Sequence, residues 1–141
     1  MSAVLLAVIL ACSPALAQQT RTVDGMVVNF GVMPAEVAVH AEGHAEAHPA
    51  HPPAGAQHLL ITLDDAKSHE RIGDANVTIE LKDPRGKLEK KPLLHTHGGG
   101  LPDYSELYVF SWSGDYDVRV VIVRQPGAKP VETHFTVHHR V

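Results

Sequence analysis

Histidine is the residue type in this sequence whose number and spacing could do chemistry. The 141-residue chain contains eleven histidines, and five of them lie between residues 40 and 58. Imidazole is the commonest side-chain metal ligand, and its charge ordinarily changes near neutral pH. The stretch therefore predicts either metal binding or pH sensing, and its candidate ligands are His40, His44, His48 and His51.

The segment that carries these histidines is rich in alanine, glutamate and proline, with few large apolar side chains. A helix over residues 35–48 would place His40, His44 and His48 on one face at i, i+4 spacing. Glycine and proline within the segment oppose that helix, and an alanine face offers little to hold it against a core. We therefore predict a flexible linker over residues 35–56 that binds metal weakly at several sites. A pH-responsive segment and an inert linker are the alternatives.

Two further groups of histidines lie later in the chain. His95 and His97 stand beside the glycines of residues 98–100. In an extended segment they would point the same way, roughly 7 Å apart, and could share one ion, although two solvated loop histidines would give the same pattern. On the last predicted strand, His134 and His138 would be roughly 13 Å apart, which is too far to share an ion directly.

The available donor atoms limit which metals these histidines suit. The only cysteine is Cys12, so the chain beyond it offers no thiolate. Imidazole with the carboxylates of Glu42 and Glu46 suits Zn(II), Cu(II) or Ni(II). The thioethers of Met26 and Met33 would add soft ligands for Cu(I), although Met26 falls on the apolar side of a predicted strand. We expect a copper or zinc ion and no organic cofactor.

The N-terminus predicts export. The apolar run within residues 1–17 is too short to span a bilayer, and Ala15-Leu16-Ala17 fits a signal-peptide cleavage site. The run Ile9-Leu10-Ala11-Cys12 also resembles a bacterial lipobox, which would make Cys12 a lipid anchor. We therefore expect a periplasmic or secreted protein, with a membrane-anchored lipoprotein as the alternative. No transmembrane segment is predicted in the mature chain.

Several classes of function are disfavoured. A formal net charge of −4 argues against a nucleic-acid partner. The sequence contains no HExxH motif, P-loop or dinucleotide fingerprint. His97-Gly98-Gly99-Gly100 matches an oxyanion motif of hydrolases, but the companion Gly-x-Ser-x-Gly motif is missing. We therefore do not expect an enzyme.

Apolar alternation predicts strands rather than helices over most of the chain. The predicted strands are residues 26–32, 59–63, 75–82, 87–94, 104–111, 116–124 and 131–141. This spacing is typical of an all-β, immunoglobulin-like antiparallel β-sandwich of about seven strands. Tight turns are predicted at Asp24-Gly25 and at Asp83-Pro84-Arg85-Gly86 from their residue types. The run around Tyr116 resembles a tyrosine corner, with Phe110 and Trp112 as expected core anchors.

These elements divide the chain into four parts. We predict a signal peptide at residues 1–17, an N-terminal strand segment at 18–34, a His/Ala/Pro-rich linker at 35–56 and the sandwich at 57–141.

The stretches GDANVTIELKDPRG and GGGLPDYSELYVFSWSGDYDVRVVIV, within residues 57–137, resemble the small exported bacterial domains called YtkA-like. The resemblance implies an immunoglobulin-like fold and an exported location, and it raises the expectation of copper handling. We therefore expect an exported protein that binds or hands on copper or zinc through His40, His44, His48, His51, His95 and His97. The alternative is a non-enzymatic module that docks on another envelope protein, with incidental histidines.

Overall fold

The computed structural model describes residues 17–39 and 51–141. Over these residues the chain forms nine strands and one short helix. Their bounds are β1 Ala17–Val23, β2 Met26–Pro34, α1 Ala35–Val39, β3 Ala56–Asp65, β4 Asn76–Lys82, β5 Leu88–Pro92, β6 Leu94–Gly98, β7 Leu101–Val109, β8 Gly114–Val123 and β9 Val131–His139. Most of the predicted signal peptide, with Cys12, lies outside the described residues, as do His40, His44 and His48.

The strands form two antiparallel sheets that pack face to face. One sheet has the order β1-β2-β3-β7-β6, and the other has the order β5-β4-β8-β9. The core between them is made of apolar side chains at alternate positions, such as Val28 and Phe30 on β2, Ile79 on β4 and Val118 on β8. The predicted immunoglobulin-like β-sandwich is confirmed, with nine strands in the described residues instead of about seven.

The first additional strand is β1. Residues 18–22 are polar and do not alternate, so periodicity gave no sign of a strand there. The predicted turn at Asp24-Gly25 joins β1 to β2, and both residues have positive φ, 46° and 72°. Residues 18–34, which we predicted as a segment ahead of the sandwich, thus supply nearly all of two strands of its five-stranded sheet.

A side-chain amide ties β1 to the other sheet. Gln19 Nε2 donates a hydrogen bond to the carbonyl oxygen of Thr136 on β9 at 2.5 Å. The Thr136 backbone N–H donates to Gln19 Oε1 at 3.4 Å. The guanidinium carbon of Arg21 lies 5.5 Å from the centre of the Phe135 ring. These contacts join the β1 edge of one sheet to the β9 edge of the other.

The second additional strand is β6, and here the predictions were wrong in two ways. Residues 87–94 were expected to form one strand, but the chain changes sheets at buried Leu93, so β5 and β6 belong to different sheets. Residues 95–103 were expected to be a loop. They form most of a β6–β7 hairpin, closed by Gly99 and Gly100 with φ of 59° and 81°. Two consecutive positive φ values are what a tight two-residue hairpin turn requires.

The predicted tyrosine corner is present, but one of its expected core anchors is not buried. The Tyr116 hydroxyl donates to the Trp112 carbonyl and accepts from the Trp112 N–H, each at 3.0 Å. Phe110 is buried as predicted, whereas Trp112 is 45% exposed and stacks under the Arg85 guanidinium. The Trp112 backbone, and not its indole, therefore serves the corner.

Candidate functional site

The predicted metal ligands on the described part of the chain are exposed. His51 precedes β3, and its side chain is exposed. His95 and His97 lie on edge strand β6, opposite Tyr104 and Pro102, so both point to the same side of the strand. The His95 ring contacts the Tyr104 ring edge-on, with centroids 4.9 Å apart.

The described residues do not by themselves contain a complete metal site. Among residues 17–39 and 51–141, no group of three or more His, Cys, Asp or Glu side chains is placed to hold one ion. His95 and His97 therefore offer at most two imidazoles to an ion. A site with more protein donors would need a ligand from elsewhere in the chain or from another molecule.

The last-strand histidines are dispersed as predicted. His134 and His138 are exposed on the side of β9 that faces away from the core. The Nδ1 atom of His138 lies 2.6 Å from Asp115 Oδ1. His139 stacks on the core residue Phe110, with ring centroids 5.2 Å apart. These histidines lie in three different surroundings and do not converge.

A fully buried histidine lies on the opposite side of the five-stranded sheet from the core. Leu59, Ile61 and Leu63 of β3 face the core, so His58 between Gln57 and Leu59 points away from it. We call this side of the β1-β2-β3-β7-β6 sheet the outer face. His58 is nevertheless 0% exposed, which is unusual for an imidazole outside the hydrophobic core.

A methionine stands directly opposite His58. The β2–β3 register pairs Met33 with His58, so the two side chains leave the sheet on the same face. Met33 is partly buried. The other methionine considered as a ligand, Met26, is 3% exposed within the core, where no ion could reach it without unpacking the sandwich. Met26 and Met33 lie an odd number of residues apart on β2, so their side chains leave the strand on opposite faces.

Buried hydroxyls and a carboxylate lie further across the outer face. Thr96 on β6 donates to the carboxylate of Asp103 on β7, and its hydroxyl lies 3.1 Å from that of Ser105. All three are 3% exposed or less. On β2, Asn29 Nδ2 donates to Thr62 Oγ1 at 3.2 Å. The outer face is therefore polar at the β6–β7 side and contains satisfied hydrogen bonds.

A shallow groove lies on the outer face over β1, β2 and β3. It lies over Gly31, where a Cβ atom would have no heavy atom within 4 Å. Its lining is mostly apolar and includes Gln18, Asn29, Met33 and Leu60. The groove thus brings solvent to the side of Met33, next to the His58 position.

Strong electrostatic interactions lie elsewhere, on the exposed side of the four-stranded sheet. Arg119 Nη1 donates to Glu80 Oε2 at 2.5 Å, and Nη2 donates to Glu132. The hydrogen bond from Arg119 holds the pKa of the Glu132 carboxyl below its usual value. We interpret this cluster as cross-strand pairing that stabilises the sheet, because its cation and carboxylates already bind one another.

Sequence reasoning missed the outer-face residues for a physical reason. It left His58 just before the predicted strand at residues 59–63 and named Met33 as a candidate thioether, but it could not pair them. Alternation along β3 would have shown that His58 faces away from the side occupied by Leu59 and Ile61. The register that sets His58 against Met33 depends on which strands are neighbours, and no local pattern encodes that.

Comparisons with known proteins give structural relatives only. No protein-family model matches the chain, and no curated protein matches its sequence. FetP of uropathogenic Escherichia coli, recombinantly expressed in the periplasm, is similar with a TM-score of 0.69 at 15% identity, over 88% of this chain and 94% of that one. A DUF4426 family protein of Pseudomonas aeruginosa has a TM-score of 0.69 at 12% identity, over 86% and 94% of the two chains.

Copper-reconstituted P19 of Campylobacter jejuni is also similar, with a TM-score of 0.68 at 12% identity, over 86% of this chain and 92% of that one. Variants of FetP and of P19 have been solved with copper bound. At these identities the likeness shows a shared fold. No helix in the described parts of this chain is long and apolar enough to span a membrane.

Proposed function

We propose that this protein is exported to the periplasm and binds or hands on copper through its histidines. The observation that carries the proposal is the coincidence of eleven histidines with a sandwich similar to FetP and P19, which have been solved with copper. The predicted signal peptide and the resemblance to YtkA-like domains support the same location and role.

We assign two roles to the predicted ligands. His40, His44, His48 and His51 bind ions weakly and raise their concentration near the sandwich, because a linker of the predicted kind loses entropy when it closes around one ion. His95 and His97 offer two imidazoles on the fixed backbone of β6. Imidazole alone would also accept zinc. Copper is favoured over zinc by the copper-bound structural relatives.

Calorimetric titration of the metal-stripped protein with Cu(II) tests the proposal. Replacing His40, His44, His48 and His51 by alanine should lower the number of ions bound, and His95→Ala with His97→Ala should remove a further, separate component. The matched control is His134→Ala with His138→Ala, which removes two exposed histidines that lie apart and should leave the stoichiometry unchanged. Wild-type binding weaker than about millimolar would overturn the proposal.

The alternative is a docking module of the cell envelope with incidental histidines. It is favoured by exposed apolar side chains at one end of the sandwich, where Trp112 is 45% and Leu88 62% exposed. The same histidine variants separate the two functions. A docking module would still capture its envelope partner after all six substitutions, and Trp112→Ala would abolish the capture.

A further inference from the structure

We propose that Met33 and His58 form a pair of ligands selective for Cu(I) on the outer face of the five-stranded sheet. The inference rests on the proposed function, since it assumes that copper reaches this protein. It adds a site that differs from the histidine segment and from the His95–His97 pair in donor type, in oxidation state and in location.

The register of the sheet brings the two side chains together. Met33 and His58 are directly opposed on neighbouring antiparallel strands and leave the sheet on the same face. Opposed residues have Cβ atoms about 4.5 to 5.5 Å apart. Side chains that leave neighbouring strands so close together can turn their donor atoms towards one ion while the strands keep their register. Both strands are interior to the sheet, so the two positions are fixed.

The two donor atoms of the pair suit Cu(I). Thioether sulfur is a soft ligand that selects Cu(I), whereas imidazole binds copper in either oxidation state. Cu(I) binds two or three ligands, so one sulfur and one nitrogen meet its lowest coordination number. Zn(II) and Cu(II) prefer more nitrogen and oxygen ligands, which the exposed histidines supply better.

The surroundings of the pair favour a monovalent ion. The groove beside Met33 is lined mostly by apolar surface. Burying a charge in such surroundings is costly, so a monovalent ion is favoured over a divalent one.

Two carboxylates on the outer face lie far from the pair. Asp103 is four residues along β7 from Leu107, the partner of His58, or roughly 13 Å away, and Asp64 is six residues along β3 from His58, or roughly 20 Å away. The carboxylate of Glu36 on α1 is exposed, so solvent screens its charge.

Access to the pair comes from the groove. Because Gly31 has no side chain, the surface beside Met33 is open, and the partly buried thioether can be reached from solvent. His58 is fully buried, so an ion would meet the sulfur first and the imidazole second. Cu(I) would therefore enter through the groove and be held between a sulfur that solvent reaches and an imidazole that it does not.

Competition with a chromophoric Cu(I) chelator under anaerobic conditions tests the inference. The full chain carrying Cys12→Ser is used so that no thiol contributes, and the test variant is Met33→Leu, which keeps the side-chain volume and removes the sulfur. We expect its Cu(I) affinity to fall at least about tenfold, the smallest loss usual when the surroundings of a metal are altered. Cu(II) affinity should stay within about twofold, because sulfur is not among the donors that Cu(II) prefers. X-ray absorption of the Cu(I) form should show a sulfur neighbour that Met33→Leu abolishes.

Met26→Leu is the matched control, because it makes the same exchange in the core, directly after the turn at Asp24-Gly25. It should leave both affinities unchanged. An unchanged Cu(I) affinity in Met33→Leu, or an equal loss for Cu(I) and Cu(II), overturns the inference while leaving the proposed function intact. Failure of the wild-type protein to bind copper in either oxidation state overturns the proposed function itself.

Discussion

At the scale of single residues, Phe110 and Trp112 show that size does not decide which aromatic side chain is buried. Both come just after β7, but Phe110 is 4% exposed and packs edge-on against Tyr116, with centroids 4.7 Å apart. Trp112 turns outward and lies 4.4 Å from the Arg85 guanidinium. What the corner requires at position 112 is a backbone N–H and carbonyl for Tyr116.

Alanine substitution should therefore affect the two residues very differently. Phe110→Ala should lower the free energy of unfolding by about 3 to 5 kcal/mol, because it leaves a cavity in the core. Trp112→Ala should cost below about 1 kcal/mol, the value of an exposed cation–π contact. Urea denaturation of the two variants measures both, and a Trp112→Ala loss equal to that of Phe110→Ala would contradict this assignment.

At the scale of elements, two glycines in ordinary backbone conformations have opposite packing. Gly31 lies within β2 and faces the open groove. Gly73 precedes β4, and a Cβ atom there would lie 2.7 Å from both Cβ and Cγ of Pro102. Pro102 in turn belongs to β7, so Gly73 permits the close approach of the segment before β4 to the five-stranded sheet.

Gly31→Ala should stabilise the protein by about 0.5 to 1 kcal/mol, since glycine within a strand costs conformational entropy relative to alanine. Gly73→Ala should destabilise it by about 1 to 3 kcal/mol, because the added methyl overpacks the contact with Pro102. Thermal unfolding of the two variants beside the wild type checks the opposite signs. Two shifts of the same sign would show that space around the Cβ does not govern these positions.

Most strands and two turns could be predicted from the sequence, but the arrangement of the strands could not. Alternation found the strands that face the core, and the turns at Asp24-Gly25 and Asp83–Gly86 were predicted from their residue types. The alternation of apolar residues could not reveal β1, whose residues are polar because that strand is at an edge. It also could not divide β5 from β6, since the change of sheet at Leu93 follows from tertiary packing. The candidate site was predicted only as a list of donors, because Met33 and His58 meet through a register that no local pattern contains.

At the scale of the whole molecule, two buried tyrosines make the stability of the sandwich depend on pH. Burial raises the pKa of Tyr108 to about 12, and the nearby carboxylates of Glu89 and Asp83 act in the same direction. Burial also raises the pKa of Tyr104, whose hydroxyl donates to the Ile72 carbonyl. Both phenols therefore stay neutral in the folded protein at a pH where exposed tyrosine ionises.

Stability should consequently fall as the pH rises from 10 towards 12. Tyrosine in the unfolded chain ionises near its ordinary pKa of 10.0, while folded Tyr108 retains its proton to about 12. Between these values the unfolded state binds fewer protons, so alkali favours unfolding. Urea denaturation at several pH values measures the slope, and Tyr108→Phe should reduce it. An ultraviolet titration in which Tyr108 of the folded protein ionises near 10 would refute the prediction.

The side-chain amide of Gln19 protects an edge strand from aggregation between copies of this protein. An exposed edge strand offers its free N–H and C=O groups to any other extended chain, which is a common route to aggregation. On β9 the Gln19 carboxamide satisfies the N–H and C=O of Thr136 as an added strand would. One side chain from the first strand thus opposes the pairing of a second copy with the β9 edge at Thr136.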